Sequence, residues 1–178
     1  ALAAHGSTYV DGTLGLGGHA SLILETCPGA RLVGIDRDPA ALALAAERLA
    51  LFGDRVRLFR AVYSELPDVL CRAGVPAVQA VCLDLGLSSL QIDRRERGFA
   101  YSVDAPLDMR MDPDSPLTAA MIVNTWPAAD LAQILRRFGE ERFADRIADR
   151  IVGARDAEPF TSSARLVAVI ADAIPAAA

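Results

Sequence analysis

Short runs of β-branched and aromatic residues alternate with helical hydrophobic periods through the first half of the chain. The runs predict strands at Ser7 to Asp11, Arg31 to Asp36, Arg55 to Arg60 and Gln79 to Asp84. The helical periods predict helices at Ala20 to Glu25, Pro39 to Leu51 and Glu65 to Arg72, with Asp38 and Ser64 at the starts of the last two. Consecutive βα units of this kind indicate α/β architecture with a parallel, doubly wound sheet.

The pattern changes after Asp84. Residues 85–116 combine many Gly, Ser, Asp and Pro residues with little periodicity, which is typical of a functional loop or a disordered segment. From Leu117 onward the spacing is helical, and Thr161 or Ser162 is expected to cap a last helix that runs to about Ile174. We therefore predict a partial sheet domain over residues 1–113 and a helical subdomain over residues 114–178. The apolar positions that predict its helices are Leu131, Ile134, Leu135 and Phe138, followed by Phe143, Ile147 and Ile151.

Composition and charge narrow the function classes. With 52% hydrophobic and 23% charged residues the chain can bury a core. The 18 basic residues are all arginine and leave a net charge of -5, which lowers the expectation of a nucleic-acid partner without excluding one. No apolar run approaches the roughly 20 residues of a membrane span, so no membrane partner is expected. The 3 scattered cysteines and 2 histidines predict no metal site and a reducing cytoplasm.

A glycine-rich segment, DGTLGLGGH from Asp11 to His19, lies where the first strand turns into the first helix. From Gly15 onward it satisfies G-x-G-x-x-A, which lets a nucleotide approach the backbone, although a simple turn has the same composition. Asp36 ends the second strand 19 residues after Gly17, where a carboxylate can bind ribose hydroxyls. NAD and S-adenosylmethionine both fit this geometry. Asp11 favours S-adenosylmethionine, since it would repel a pyrophosphate; otherwise it is a turn residue.

A second motif, DLGLSSLQID from Asp84 to Asp93, follows the fourth strand at the carboxyl edge, where doubly wound sheets bind ligands. Arginines are frequent after it, and they could either meet RNA phosphates or pair with neighbouring acids. The arginines are Arg94, Arg95, Arg97 and Arg110, and the acids are Asp93, Glu96, Asp108 and Asp112. A further set is expected to form the solvated faces of helices: Arg136, Arg137, Arg142, Arg146 and Arg150.

Several segments taken together resemble the MraW family of methyltransferases, from about Tyr9 to Pro175. They are DGTLGLGGH, GIDRDP, LDLGLSSLQID, ERGFAY, DAPLDMRMDP and GEERFADRIA. The resemblance implies a Rossmann-like S-adenosylmethionine-dependent methyltransferase sheet with a helical insertion domain. It implies methyl transfer to the exocyclic N4 of a cytidine in the decoding region of 16S ribosomal RNA in the small subunit. The cofactor contacts that it implies are Gly17, Gly18, His19, Asp36, Tyr63, Asp84 and Gln91, with Leu90 where the family usually has Pro or Met.

Transfer to an amine whose lone pair is delocalised would be helped by a hydrogen-bond acceptor. Asp84 is the first candidate for this role, with Ser88 or Ser89 orienting the base. Alternatively, Asp84 only orders the loop or contacts the cofactor. Two other functions stay open, a nicotinamide-dependent oxidoreductase and a non-catalytic RNA-binding module, and a homodimer is one assembly that the sequence allows.

Compared with members of the MraW family, the chain is expected to be cut short at both ends. This predicts a sheet of four parallel strands, the absence of the family's last strands, and one unusually exposed side of the sheet.

Overall fold

Within residues 6–100 and 102–175, which this computed structural model describes, four parallel strands form one sheet in the order β3-β2-β1-β4. They are β1 (Thr8–Asp11), β2 (Arg31–Asp36), β3 (Val56–Arg60) and β4 (Ala80–Cys82). The helices that connect them are α1 (Gly18–Thr26), α2 (Pro39–Leu49) and α3 (Leu66–Arg72). The predicted doubly wound sheet is confirmed, and its strand order reverses between β1 and β4.

Side chains on β1 and β2 alternate between the two faces of the sheet. Tyr9 and Leu32 lie in a buried cluster with residues of α1 and α2. Val10 and Val33 lie in a second cluster with residues of α3. Burial on both faces is typical of parallel strands and explains their continuous hydrophobic runs. Polar side chains are therefore concentrated at the strand ends.

The start of α2 is as predicted. Asp38 is its N-cap, because the Asp38 side chain accepts a hydrogen bond of 2.9 Å from the backbone N–H of Ala40. The start of α3 differs from the prediction, since a 3-10 turn over Tyr63–Glu65 precedes it. Glu65, and not Ser64, makes the local bond there: its carboxylate accepts the N–H of Val62 at 2.8 Å.

Strand β4 ends earlier than predicted. The sequence predicted a strand to Asp84, but the ladder with β1 stops at Cys82. Within the described residues β4 pairs only with β1, and the side chains of Val81 and Leu83 are each 47% exposed. In the described sheet β4 is thus an edge strand with half-exposed apolar residues.

The chain forms two units, Ala1–Leu90 and Gln91–Ala178. The second has a buried core that includes Leu131, Ile147 and Phe160. Phe138, which continues the apolar period that predicted its helix, is 74% exposed and lies in the last turn with its ring beside the Arg137 guanidinium. No helix of the described residues is long and apolar enough to cross a bilayer. The remaining α-helices of the described residues are α4 (Ser89–Asp93), α5 (Ala119–Thr125), α6 (Ala128–Gly139), α7 (Ala144–Ala157) and α8 (Ser163–Ala173).

The irregular segment before α5 is ordered by the helices of its own unit. The backbone N–H of Ala119 donates to the carbonyl of Asp108 at 2.8 Å, and that of Ser163 donates to Ala105 at 2.8 Å. The segment also contains the short helix α4, which the sequence did not predict. The two compact units divide between Leu90 and Gln91, whereas the sequence predicted a boundary between residues 113 and 114.

The cap of α8 comes from a distant residue. Ser162 occupies the N-cap position, but its side chain makes no capping bond to the helix, contrary to the expectation for Thr161 or Ser162. Instead the carboxylate of Asp104 accepts the backbone N–H of Ala164 at 2.9 Å. This bond is the main cause that lowers the pKa of Asp104 below its usual value. A loop residue thus supplies the anion that a helix N-terminus favours.

Candidate functional site

Acidic side chains meet at the carboxyl edge of the sheet. Asp11 ends β1, Asp36 ends β2, and Asp84 lies two residues beyond the end of β4. The strand order reverses between β1 and β4, and doubly wound sheets bind ligands at such a point. In the described part of the chain no group of three or more His, Cys, Asp or Glu side chains could hold a metal ion.

The glycine loop after β1 is tied to the neighbouring strands by its own backbone. The N–H of Gly12 donates to the carbonyl of Cys82 at 3.0 Å, and the N–H of Leu14 donates to Ile35 at 3.0 Å. The N–H of Gly15 donates to a carboxylate oxygen of Asp36 at 2.7 Å. These bonds bring the loop against the ends of β2 and β4, so the loop and the acids form one constellation.

Gly15 and Gly17 have different structural roles in the loop. A Cβ on Gly17, whose φ is +74°, would lie 3.2 Å from Leu49 Cδ1 and 3.5 Å from Ala45 Cβ, so Gly17 allows α1 to pack closely on α2. Gly15 has φ +54°, and no atom outside its own loop lies within 4 Å of a Cβ built there. Gly15 therefore leaves open space in front of the backbone, which is what a nucleotide needs. The prediction of ligand approach thus fits Gly15 better than Gly17.

Asp11 is the most deeply buried acid of the edge, with 2% of its surface exposed. Burial raises the pKa of Asp11, and the nearby charges of Asp36 and Asp84 raise it further. The Thr13 N–H, which donates to Asp11 Oδ1 at 3.2 Å, and the charge of His19 oppose this rise in pKa. A buried carboxylate so placed is stabilised by a ligand that brings positive charge.

Both carboxylate oxygens of Asp36 accept hydrogen bonds from backbone N–H groups. Oδ2 accepts the Gly15 N–H and Oδ1 accepts the Asp38 N–H at 2.9 Å. Each oxygen can accept more than one hydrogen bond, so hydroxyl groups of a ribose can still bind there. The backbone bonds fix the orientation of the carboxylate before any ligand arrives.

Tyr63 stands beside the loop in the turn that follows β3. Its side chain is 46% exposed. A Cβ on Gly12 would lie 3.4 Å from Tyr63 Cβ and 2.6 Å from Leu83 Cδ2. Because Gly12 has no side chain, Leu83 and Tyr63 can lie close to the loop. An exposed ring beside an open backbone is suited to contact a planar base.

Asp84 is exposed, and its backbone N–H donates to Thr13 Oγ1 at 2.7 Å. Burial, Asp11 and Asp84 together raise the pKa of the Cys82 thiol. Ser88 is half-buried and Ser89 is the first residue of α4. The roles of these two serines in orienting a base stay predictions.

The remaining predicted cofactor residues lie on two helices. Gly18 and His19 form the first turn of α1, and both are exposed. Gln91 is buried in α4 and belongs to the second unit. Contact of these residues with a cofactor stays a prediction.

Several arginines that follow the second motif hold the irregular segment together. The Arg110 guanidinium forms a two-pronged bond with Asp108, with Nη2 2.6 Å from Oδ2 and Nε 3.0 Å from Oδ1. This pairing lowers the pKa of Asp108. Arg97 donates to the carbonyl of Arg110 at 2.9 Å, and Arg95 donates to the carbonyl of Asp104. The pairing alternative is thus supported for Arg110, and all three arginines order their own unit.

Thr13 is the residue at this edge that sequence reasoning missed. It is the one hydroxyl residue within DGTLGLGGH and bonds across 71 positions to Asp84. The available signal in the sequence was a hydroxyl residue that lies between glycines and follows the acidic end of a strand. It was too local to reveal a partner so far along the chain.

A doubly wound parallel sheet with a glycine loop and an acidic carboxyl edge defines a protein of the Rossmann-like α/β class. A family model described as the MraW methylase family matches residues 3–178. The chain belongs to this family, and the resemblance noted from the motifs is confirmed.

Individual relatives agree with the family match. Ribosomal RNA small subunit methyltransferase H of Nocardioides sp. (strain ATCC BAA-499 / JS614) is 61% identical over 173 residues, which cover 97% of this chain and 54% of that protein. The protein of the same name from Streptomyces avermitilis is 56% identical over 178 residues, 100% of this chain and 56% of that protein. That from Salinispora arenicola is 59% identical over 172 residues, 97% and 46% of the two chains. The chain spans about half the length of these curated relatives.

Proposed function

We propose that the chain carries the cofactor site of an S-adenosylmethionine-dependent methyltransferase. Its proposed target is the exocyclic N4 of a cytidine in the decoding region of 16S ribosomal RNA in the small subunit. The observation that carries the choice of cofactor is the acidic edge, with Asp11 buried and Asp36 and Asp84 near enough to raise its pKa. The family membership and the names of the relatives support an RNA substrate.

The charge of the edge separates the two cofactors that a glycine loop can bind. NAD would bring the negative pyrophosphate close to Asp11, where burial strengthens repulsion between like charges. S-adenosylmethionine carries a positive sulfonium and a positive ammonium group. Its binding would offset the charge of the acids and relieve the cost of burying Asp11. The edge therefore favours the sulfonium cofactor over the nicotinamide cofactor.

The residues at the edge match the parts of this cofactor. The open backbone at Gly15 and the start of α1, with Gly17, Gly18 and His19, would line its methionine and ribose portions. Asp36 would accept ribose hydroxyls, and Tyr63 would lie against adenine. Asp11 would face the ammonium group, directly or through water. Gln91 is a further candidate contact that the family resemblance supplies.

Asp84 is the proposed acceptor of the amine hydrogen bond. When bound, S-adenosylmethionine supplies an electrophilic methyl group on sulfur. The N4 amine of cytosine is a poor nucleophile because its lone pair is delocalised into the ring. An exposed carboxylate at the carboxyl edge can accept a hydrogen bond from that amine and favour loss of its proton. Ser88 or Ser89 would orient the base, and placement of the amine in line with the methyl group would supply much of the rate.

Titration calorimetry with the two cofactors tests the assignment of the site. The chain is expected to bind S-adenosylmethionine and to show no heat with NAD at equal concentration. Asp11→Asn should weaken S-adenosylmethionine binding by about tenfold, which equals about 1.4 kcal/mol. Asp54→Asn is the matched control, because it removes an equal charge from an exposed position before β3, at the opposite edge. Preferential binding of NAD would refute the proposal and favour the oxidoreductase.

Transfer of a labelled methyl group tests the activity. The full chain is incubated with methyl-labelled S-adenosylmethionine and small ribosomal subunits, and the RNA is digested to nucleosides. We expect label in N4-methylated cytidine and its loss with Asp84→Asn. Binding of subunits without any transferred label would instead identify a non-catalytic RNA-binding module. The free thiols of Cys27, Cys71 and Cys82 fit the cytoplasmic location that we propose with this function.

A further inference from the structure

Thr13 links the glycine loop to the segment that carries Asp84. Its backbone N–H donates to Asp11 Oδ1 at 3.2 Å, and its hydroxyl oxygen accepts the Asp84 N–H at 2.7 Å. The second bond is short and joins residues 71 positions apart. Thr13 thereby connects the ends of β1 and β4, the strands between which the sheet order reverses.

The position of Asp84 makes this bond important. The β4 ladder ends at Cys82, so the backbone of Asp84 lies beyond the strand pairs of the sheet. The Asp84 side chain is exposed and therefore is not held by burial. A backbone that has left the ladder needs another anchor if its carboxylate is to keep one direction. The Thr13 hydroxyl supplies such an anchor from the loop that faces the ligand.

We propose that Thr13 is a positioning residue for methyl transfer. Its hydroxyl oxygen fixes the Asp84 backbone to the glycine loop, so that the Asp84 carboxylate meets the acceptor amine only when the loop has its ligand-binding conformation. Thr13 acts through Asp84 and not on the substrate. The inference rests on the proposed function, because it needs Asp84 to take part in transfer.

Two substitutions separate the hydroxyl from the shape of the side chain. Thr13→Val keeps the β-branched volume and removes the acceptor oxygen. Thr13→Ser keeps the oxygen and removes only the methyl group. Neither change alters the backbone N–H that donates to Asp11. A difference between the two variants therefore reports on the bond to Asp84.

The experiment measures cofactor affinity, turnover and amide exchange on the full chain. Thr13→Val should lower kcat by roughly 10- to 100-fold, as expected when a reacting group is misplaced by about 1 Å. Its Kd for S-adenosylmethionine should stay within about threefold of wild type, and Thr13→Ser should keep most of the turnover. Hydrogen exchange at the Asp84 amide, followed by NMR, should accelerate in Thr13→Val and not in Thr13→Ser.

The outcomes distinguish failure of the inference from failure of the proposed function. If the wild-type chain transfers no methyl group, the proposed function and the inference both fall. If wild type transfers and Thr13→Val keeps its kcat, only the inference is overturned. Equal losses in the valine and serine variants, or a loss confined to cofactor affinity, would also overturn it. Unchanged exchange at Asp84 in Thr13→Val would show that the hydroxyl does not hold that backbone.

Discussion

A tight turn at Gly98 allows the irregular segment to fold on itself. The substitution Gly98→Ala should therefore lower the free energy of unfolding of this unit. Gly98 has φ +73°, a left-handed conformation that disfavours any residue with a Cβ. A Cβ there would lie 2.4 Å from the carbonyl oxygen of Pro106 and 3.0 Å from the backbone nitrogen of Asp108. Both obstacles are backbone atoms, so the turn itself would have to move.

The loss of stability follows from the left-handed conformation of residue 98 and from its close approach to backbone atoms. The left-handed conformation costs a residue with a Cβ about 1–2 kcal/mol. Overpacking against neighbours that shift only partly adds about 1–3 kcal/mol. We therefore expect Gly98→Ala to lower the free energy of unfolding by about 2–5 kcal/mol. The bond from the Met109 N–H to the carbonyl of Arg97, 3.0 Å long, is the contact most directly disturbed.

Gly153→Ala is the matched control in the same unit. Gly153 is exposed inside α7 with nothing within 4 Å of a Cβ, so alanine should stabilise the helix by about 0.5–1 kcal/mol. The assay is urea unfolding followed by fluorescence of Trp126, the chain's single tryptophan, which packs on the core of this unit. The same substitution of glycine by alanine should thus lower the free energy of unfolding at position 98 and raise it at position 153. If Gly98→Ala unfolds within about 0.5 kcal/mol of wild type, the turn is not as tight as described.

Three further predictions concern the site and its surroundings. Asp11→Asn should raise the thermal midpoint without cofactor at pH 7, because burial raises the pKa of Asp11 and the charged form destabilises the fold. Calorimetric scans should show this gain shrink as pH falls through the raised pKa, where the wild-type carboxyl takes up its proton; a gain independent of pH would contradict the cause. Tyr63→Ala should weaken S-adenosylmethionine binding by about five- to tenfold in titration calorimetry, whereas Tyr63→Phe should not, and equal losses would exclude a ring contact. Arg110→Lys should lower the urea midpoint in the Trp126 assay, since lysine cannot form the two-pronged bond to Asp108; an unchanged midpoint would show that this bond contributes little.

Local patterns predicted the elements whose boundaries are set by nearby residues. The bounds of β2 are as predicted, and Asp38 before Pro39 marked the start of α2 because an N-cap acts within its own first turn. The carboxylates at the ends of β1 and β2 were likewise found from their place after hydrophobic runs. In these regions the sequence neighbours are also the spatial neighbours.

The predictions failed where a distant residue decides the local structure. β4 ends before Asp84, whose N–H bonds the Thr13 hydroxyl. The cap of α8 is Asp104, which lies 60 positions before Ala164. Neither of these outcomes leaves a signal within a few residues.

Net charge is a poor guide to the partner because individual charges differ in what they contact. The total of -5 lowered the expectation of a nucleic-acid partner. Asp11, Asp36 and Asp84 contribute to that total, but they lie together at the proposed cofactor edge, where a cationic cofactor would offset them. Arg97 and Arg110 count as positive, yet both donate to backbone carbonyls within the second unit. A test of RNA contact must therefore compare the salt dependence of binding between wild type and single arginine variants on α6 and α7.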